Sequence, residues 1–123
     1  MAKHNQVGQW GEDVARNYLV SHGYAIMERD KRMGRTDIDI IAVKDTALCF
    51  VEVKTRTSPD ADPAEAITQP KILRMARAAD AYIKAYNLPY RPQFDVIVIN
   101  GTPTDYTLQH LPDAFPPPLL TYR

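Results

Sequence analysis

Asp37, Asp39, Glu52 and Lys54 are the residues of this chain whose types and spacing can do chemistry. They sit in two β-branched runs, Ile38 to Val43 and Ala47 to Thr55, separated by the polar triplet Lys44-Asp45-Thr46. That pattern predicts a β-hairpin. Side chains alternate along a strand, so Asp37 and Asp39 are expected on one face of the first run and Ile38, Ile40 and Ala42 on the other. In the second run Glu52 and Lys54 share a face, opposite Val51 and Val53. With the hairpin closing near Asp45, Asp39 and Glu52 come to similar heights on adjacent strands. Runs this apolar indicate strands covered on both sides, where a carboxylate must be paired, protonated or metal-bound. One reading is an ion pair of Glu52 or Asp39 with Lys54, or charges at a solvated sheet end. The other is a metal site, since hard carboxylate oxygens suit Mg²⁺. Three carboxylates and a lysine converging where the sheet should be best buried favour the metal.

The elements that must position these residues are legible from periodicity. Residues 6–22 form an amphipathic helix whose apolar face carries Val7, Trp10, Gly11, Val14, Ala15, Tyr18 and Leu19, with Asn5 as its cap and Gly23 as its stop. Glu12 lies at the edge of that face. It is read either as an early-helix acid that suits the dipole or as a group turned towards a site on the sheet. Tyr24 to Arg29 is a short first strand, followed by an Asp30–Arg35 loop. After the hairpin, Ser58–Pro63 is turn-rich and Pro63–Ile67 is expected to make one helical turn. Gln69-Pro70 opens a longer helix with an apolar stripe of Ile72, Met75, Ala76, Ala79, Ile83 and Tyr86. Leu88-Pro89 breaks it. Phe94–Ile99 is a strand, Asn100-Gly101 a turn, Tyr106–Leu111 an edge strand, and Ala114–Pro118 the start of an extended tail. The predicted order is α-β-β-β-α-β-β, an α/β fold with a central mixed sheet flanked by helices.

Asp39, twelve intervening residues and then Glu52-Val53-Lys54 resemble the signature of restriction-endonuclease-like nucleases. Three blocks, Gly11-Glu12-Asp13-Val14-Ala15, Thr36–Ala42 and Phe50–Arg56, together resemble the bacterial YraN-like family, and the likeness runs from about Gly8 to about Phe115. The resemblance implies a restriction-endonuclease-like fold similar to archaeal Holliday-junction resolvases and a metal-dependent phosphodiesterase site. It implies that Asp39 and Glu52 hold Mg²⁺ (or Mn²⁺), with the Val53 carbonyl as a third oxygen. Lys54 is then the group that positions or deprotonates water and stabilises charge. It turns the reading of Glu12 towards support of the metal. It leaves Asp37, where the family often has Glu, as an outer member behind the ligands or an exposed acid.

At 123 residues one domain is the expectation, residues 113–123 being a Pro-rich C-terminal tail. The opening Met-Ala-Lys-His-Asn-Gln lacks a signal peptide's apolar segment and no run is long enough for a membrane span, so cytoplasm is the expected location and no membrane partner is expected. Cys49 in an apolar strand reads as a buried structural thiol. His4, His22 and His110 are expected at the surface. No zinc cluster, Ser-His-Asp triad or Gly-rich nucleotide loop is present. Fifteen basic and fifteen acidic residues cancel, which counts mildly against nucleic-acid binding. Distribution matters more than the sum. Arg29, Lys31, Arg32 and Arg35 precede the hairpin, Lys54 and Arg56 end it, and Lys71, Arg74 and Arg77 follow. Arg32, Arg35, Arg56 and Lys71 are the expected contacts to nucleic acid, with a solvated charged surface as the competing reading. The leading function is a metal-dependent nuclease on DNA, branched or structured DNA included. The alternatives are a non-catalytic nucleic-acid-binding or adaptor protein that keeps the fold, and an interaction domain working through its Pro-rich tail. DNA is the expected partner, and a homodimer is compatible with the sequence.

Overall fold

A computed structural model describes residues 6–57 and 68–114. The expected Asn5 cap, the Ser58–Ile67 turns and nearly all of the proline-rich tail lie outside the described residues, as does the Val7 side chain. The elements follow the predicted order: α1 (Gln6–Ser21), β1 (Ala25–Met33), β2 (Thr36–Lys44), β3 (Ala47–Arg56), α2 (Gln69–Tyr86), β4 (Arg91–Thr102) and β5 (Asp105–Leu111). The strands form one five-stranded sheet in sequence order. Neighbours are antiparallel except β3 and β4, which run parallel. Parallel neighbours need a crossover, and α2 lies between them in the chain. No described helix is long and apolar enough to cross a membrane.

Each helix packs against its own face of the sheet. Ala15 and Leu19 of α1 share a core with Ile40, Ala42, Cys49 and Val51. Met75, Ala76, Ala79 and Tyr82 of α2 share another with Ile38, Ile41, Leu48 and Phe50. Gly23 ends α1 at φ 91°, as expected. Thr68 caps α2 by accepting from the Lys71 N–H at 3.3 Å, and Asn87 closes it in the left-handed conformation at φ 51°. Cys49 is buried, and burial pushes its thiol up to about 12, so it is the inert core thiol expected.

Several expectations are corrected. The charged Asp30–Arg35 segment is a loop only at Gly34-Arg35, because β1 continues to Met33. Lys31, Arg32 and Met33 pair with Ile38, Asp37 and Thr36. As a sheet edge, β1 exposes enough of its length to carry charges, so the charged run up to Met33 is strand and the left-handed Gly34 marks the turn. At the far end β4 runs through Asn100-Gly101 to Thr102, pairing with β5. Gly101 adopts φ 133°, and a Cβ there would meet the Asp105 carbonyl oxygen at 2.3 Å, so this glycine marks a close strand approach and not the turn. On α2 the buried aromatic is Tyr82, 3% exposed, while Tyr86 is 54% exposed. Strict alternation also fails in β2: Ile38 packs on the α2 side and Ile40 on the α1 side. The break falls at Asp39.

Candidate functional site

The β2–β3 ladder ends at Ile40–Val51. Continuing that register sets Asp39 opposite Glu52, yet no backbone pair forms there. Instead the Asp39 carboxylate accepts the Val53 N–H at Oδ2, 2.8 Å away. The two strands therefore part at Asp39, and a side chain takes over one ladder bond. Across the other edge of β2, the pairs Arg29–Ile40 and Lys31–Ile38 set Asp30 opposite Asp39. Asp30 has φ 53°, a left-handed conformation that is uncommon outside glycine and tolerated best by Asn and Asp.

Glu12 reaches the same place from α1. Gly11 lets the helix approach: a Cβ at that position would lie 2.1 Å from the Thr55 hydroxyl oxygen. The result is a carboxylate trio, Glu12, Asp30 and Asp39, whose nearest oxygens lie within 4.8 Å of one another. Glu12 and Asp39 are 5% and 6% exposed. Arg29 grips the trio's outer side, with Nε 2.9 Å from Glu12 Oε1 and Nη2 2.6 Å from Asp13 Oδ1. Even so, the Glu12 carboxyl is pushed up to about 7. Burial is the largest cause, the hydrogen bond and negative charge of Asp30 add to it, and Arg29 opposes it. The helix-dipole reading of Glu12 fails, since the first turn of α1 holds no acidic residue and this side chain is buried.

Ligand oxygens on one Mg²⁺ are about 3 Å apart when adjacent and about 4.2 Å when opposite, given Mg–O bonds of roughly 2.1 Å. An all-oxygen trio within 4.8 Å, Asp30 being its exposed member, lies near those spacings, and its hard donors suit Mg²⁺ or Mn²⁺. Glu52 is not a member of this trio. It is 7% exposed and carries an ion pair to Lys54, whose Nζ is 3.2 Å from Oε2, and a closer one to Lys71 on the same oxygen. The ion pair weighed for Glu52 is thus present, with a second lysine that sequence spacing did not connect to it. Glu52 and Lys54 share a strand face, as expected.

Asp37 pairs with Arg32, Oδ1 lying 3.3 Å from Nη1, and is not in the trio. Arg32, 58% exposed, and the exposed Arg35 flank the β1–β2 turn; the half-buried Arg56 ends β3, and Lys71 begins α2. The topology brings all four to the sheet end at which β3 finishes. Arg29, counted with this basic group, is committed to Glu12 and Asp13. Asp30 was missed among the acids because its segment read as loop; carrying β1 through to Met33 would have set it beside Asp39.

His110 corrects another expectation. Its side chain is 9% exposed, and Nε2 donates to Asp95 Oδ2 at 2.8 Å. Asp95, fully buried, also accepts at Oδ1 from Gln93 Nε2 at 3.0 Å and from the Asp113 N–H at 3.1 Å. The Tyr18 hydroxyl lies 3.0 Å from His110 Nδ1, which ties α1 to β4 and β5.

A five-stranded mixed sheet with a helix on each face and acidic residues gathered where its central hairpin forks is an α/β fold of the restriction-endonuclease-like kind. Residues 11–99 match the model of the family described as "Uncharacterised protein family UPF0102". The chain belongs to the UPF0102 family, the YraN-like family that its motifs resemble. It is 44% identical over 120 residues to a UPF0102 protein of Bacteroides thetaiotaomicron, covering 97% of this chain and 99% of that one. A UPF0102 protein of Bacteroides fragilis strain YCH46 is 43% identical with the same coverage. One from Flavobacterium psychrophilum is 35% identical over 116 residues, covering 94% of this chain and 98% of the relative.

Proposed function

We propose that this chain is a metal-dependent nuclease that hydrolyses phosphodiester bonds in DNA, branched or structured DNA included. The observation that carries the reading is the convergence of Glu12, Asp30 and Asp39 within 4.8 Å at the fork where Glu52 and Lys54 stand on the next strand. Asp39 and Glu52 are the residues to hold Mg²⁺ or Mn²⁺, with the Val53 carbonyl as a further oxygen and Glu12 and Asp30 completing the negative charge around them. Bound there, such an ion supplies charge neutralisation at the phosphate and a more acidic water. Lys54, fixed on a strand and 30% exposed, keeps its ammonium beside Glu52, where it orients water and stabilises charge that grows on the phosphoryl oxygens. The Asp39 bond to the Val53 N–H holds the fork open at a fixed width. Arg32, Arg35, Arg56 and Lys71 supply contacts to backbone phosphates, and Asp37 keeps Arg32 oriented.

The test is cleavage of labelled linear, flapped and four-way-junction DNA with Mg²⁺ or Mn²⁺. Wild type is expected to cleave at least one form; Glu52→Gln is expected to lose cleavage on the order of a thousandfold. Lys54→Met, which keeps the stem and removes the ammonium, is expected to bind DNA within a few-fold of wild type and lose at least about a hundredfold in rate. One observation favours a second reading, a nucleic-acid-binding module without catalysis: Glu52 is already occupied by two lysines. DNA binding with no cleavage of any form under either metal would select it.

A further inference from the structure

Both Lys71 and Lys54 address the same oxygen of Glu52, Oε2. Their attachments differ. Lys54 projects from β3 two residues from Glu52, so the strand keeps its side chain directed to that face whatever Glu52 does. Lys71 comes from the first turn of α2, where the aligned N–H groups of the helix disfavour a cation. That turn holds no acidic residue to offset it. Its backbone is anchored by the Thr68 cap, so only the side chain is free to move, and it is 24% exposed. Glu52 is what holds the Lys71 ammonium in place, and at 9% side-chain exposure Glu52 in turn requires a counter-charge.

We propose that Lys71 is an internal stand-in for the metal. It neutralises Glu52 in the metal-free protein, leaves when Glu52 takes a divalent ion, and is thereby delivered to a phosphate oxygen of bound nucleic acid. The inference rests on the nuclease reading of the same site. Its physical basis is mutual exclusion. Whichever Glu52 oxygen an ion takes, it arrives within a carboxylate's width of the ammonium, and the like charges repel. A lysine released there stays at the positive end of the α2 dipole, where an anion is favoured although Thr68 caps the Lys71 N–H and Pro70 has none, so a phosphate oxygen is the partner that offsets both positive charges. Site assembly thus becomes ordered: metal first, then a cation turned towards substrate.

A lysine that only binds phosphate and one that only stabilises the fold predict different things from this. Mn²⁺ binding is measured by calorimetry without DNA, and binding of a DNA duplex by fluorescence anisotropy in Ca²⁺, for wild type, Lys71→Met and Lys71→Arg. Lys71→Met is expected to bind Mn²⁺ on the order of tenfold tighter, since no charge-assisted hydrogen bond has to be broken first, and to bind DNA more weakly. Lys71→Arg, which restores the cation, is expected to return both affinities towards wild type, and thermal melting identifies any variant that has lost its fold. Mn²⁺ affinity unchanged or weakened in Lys71→Met, with wild type binding Mn²⁺, would overturn the stand-in and leave the metal site intact. DNA affinity unchanged in Lys71→Met would overturn the delivery to phosphate. Absence of Mn²⁺ binding by wild type would overturn both this inference and the nuclease reading.

Discussion

Two carboxylate sites lie at this sheet, and they are solved in opposite ways: Asp95 is fully buried, while Asp39 and Glu12 are buried beside an exposed Asp30. Asp95 is surrounded by donors: a glutamine amide, a backbone N–H and the His110 ring, with Tyr18 behind the histidine. Asp39 does accept one backbone N–H, but its nearest charged neighbours in the trio, Glu12 and Asp30, are acids like itself. A buried charge supplied with donors of its own is a structural device. Burial and then Asp30, gathered with it within 4.8 Å, raise the Glu12 carboxyl to about 7 even with Arg29 beside it, an arrangement that a further cation would relieve. The difference teaches that burial alone does not mark a functional carboxylate; what surrounds it does.

Mutation sharpens that contrast. Asp95→Ala leaves His110, Gln93 and the Asp113 N–H without their shared acceptor, and a loss of about 3 kcal/mol in urea unfolding is expected, the usual scale for breaking a buried charged network. Asp30→Asn in the trio removes a repelling charge while keeping the side chain's size, so the metal-free protein is expected to hold or gain stability. Equal losses from the two substitutions would erase the distinction between the regions.

A smaller effect tests the same contrast through pH. The Glu12 carboxyl stands at about 7 in the fold against an ordinary 4.5, so the folded state binds this proton more tightly than the unfolded chain does. Its contribution to stability is fully present below about 4.5 and is lost as pH rises through about 7. In chelator, stability of the wild type is expected to fall across that window, and Glu12→Gln to flatten the fall. Identical pH profiles for the two proteins would mean that the acids do not strain one another.

The sequence carried the fold and half of the site, for reasons visible in particular residues. The apolar hairpin, the Gly23 helix end, the Leu88-Pro89 break and the order of elements follow from local periodicity and backbone preference, which act within a few residues. Asp39, Glu52 and Lys54 stood out through their spacing on the hairpin, and Glu12 through the family resemblance. Asp30 did not, because a charged edge strand and a loop have the same composition. Lys71 was legible as one of the basic residues clustered after the hairpin, but its partner lies nineteen positions away across a helix–sheet contact that no local pattern reports. His110 was misjudged for the same reason: Asp95 buries it from a neighbouring strand.

The central proposal is that the acids at the fork hold a divalent cation. Anomalous diffraction at the manganese edge from crystals soaked in Mn²⁺ tests it most directly. The account predicts one strong peak bounded by the carboxylates of Asp39 and Glu12, with Glu52 turned from Lys71 towards it, and no peak in crystals of an Asp39→Asn variant. A soak that leaves the fork without a peak, or a peak that persists unchanged in Asp39→Asn, would contradict it.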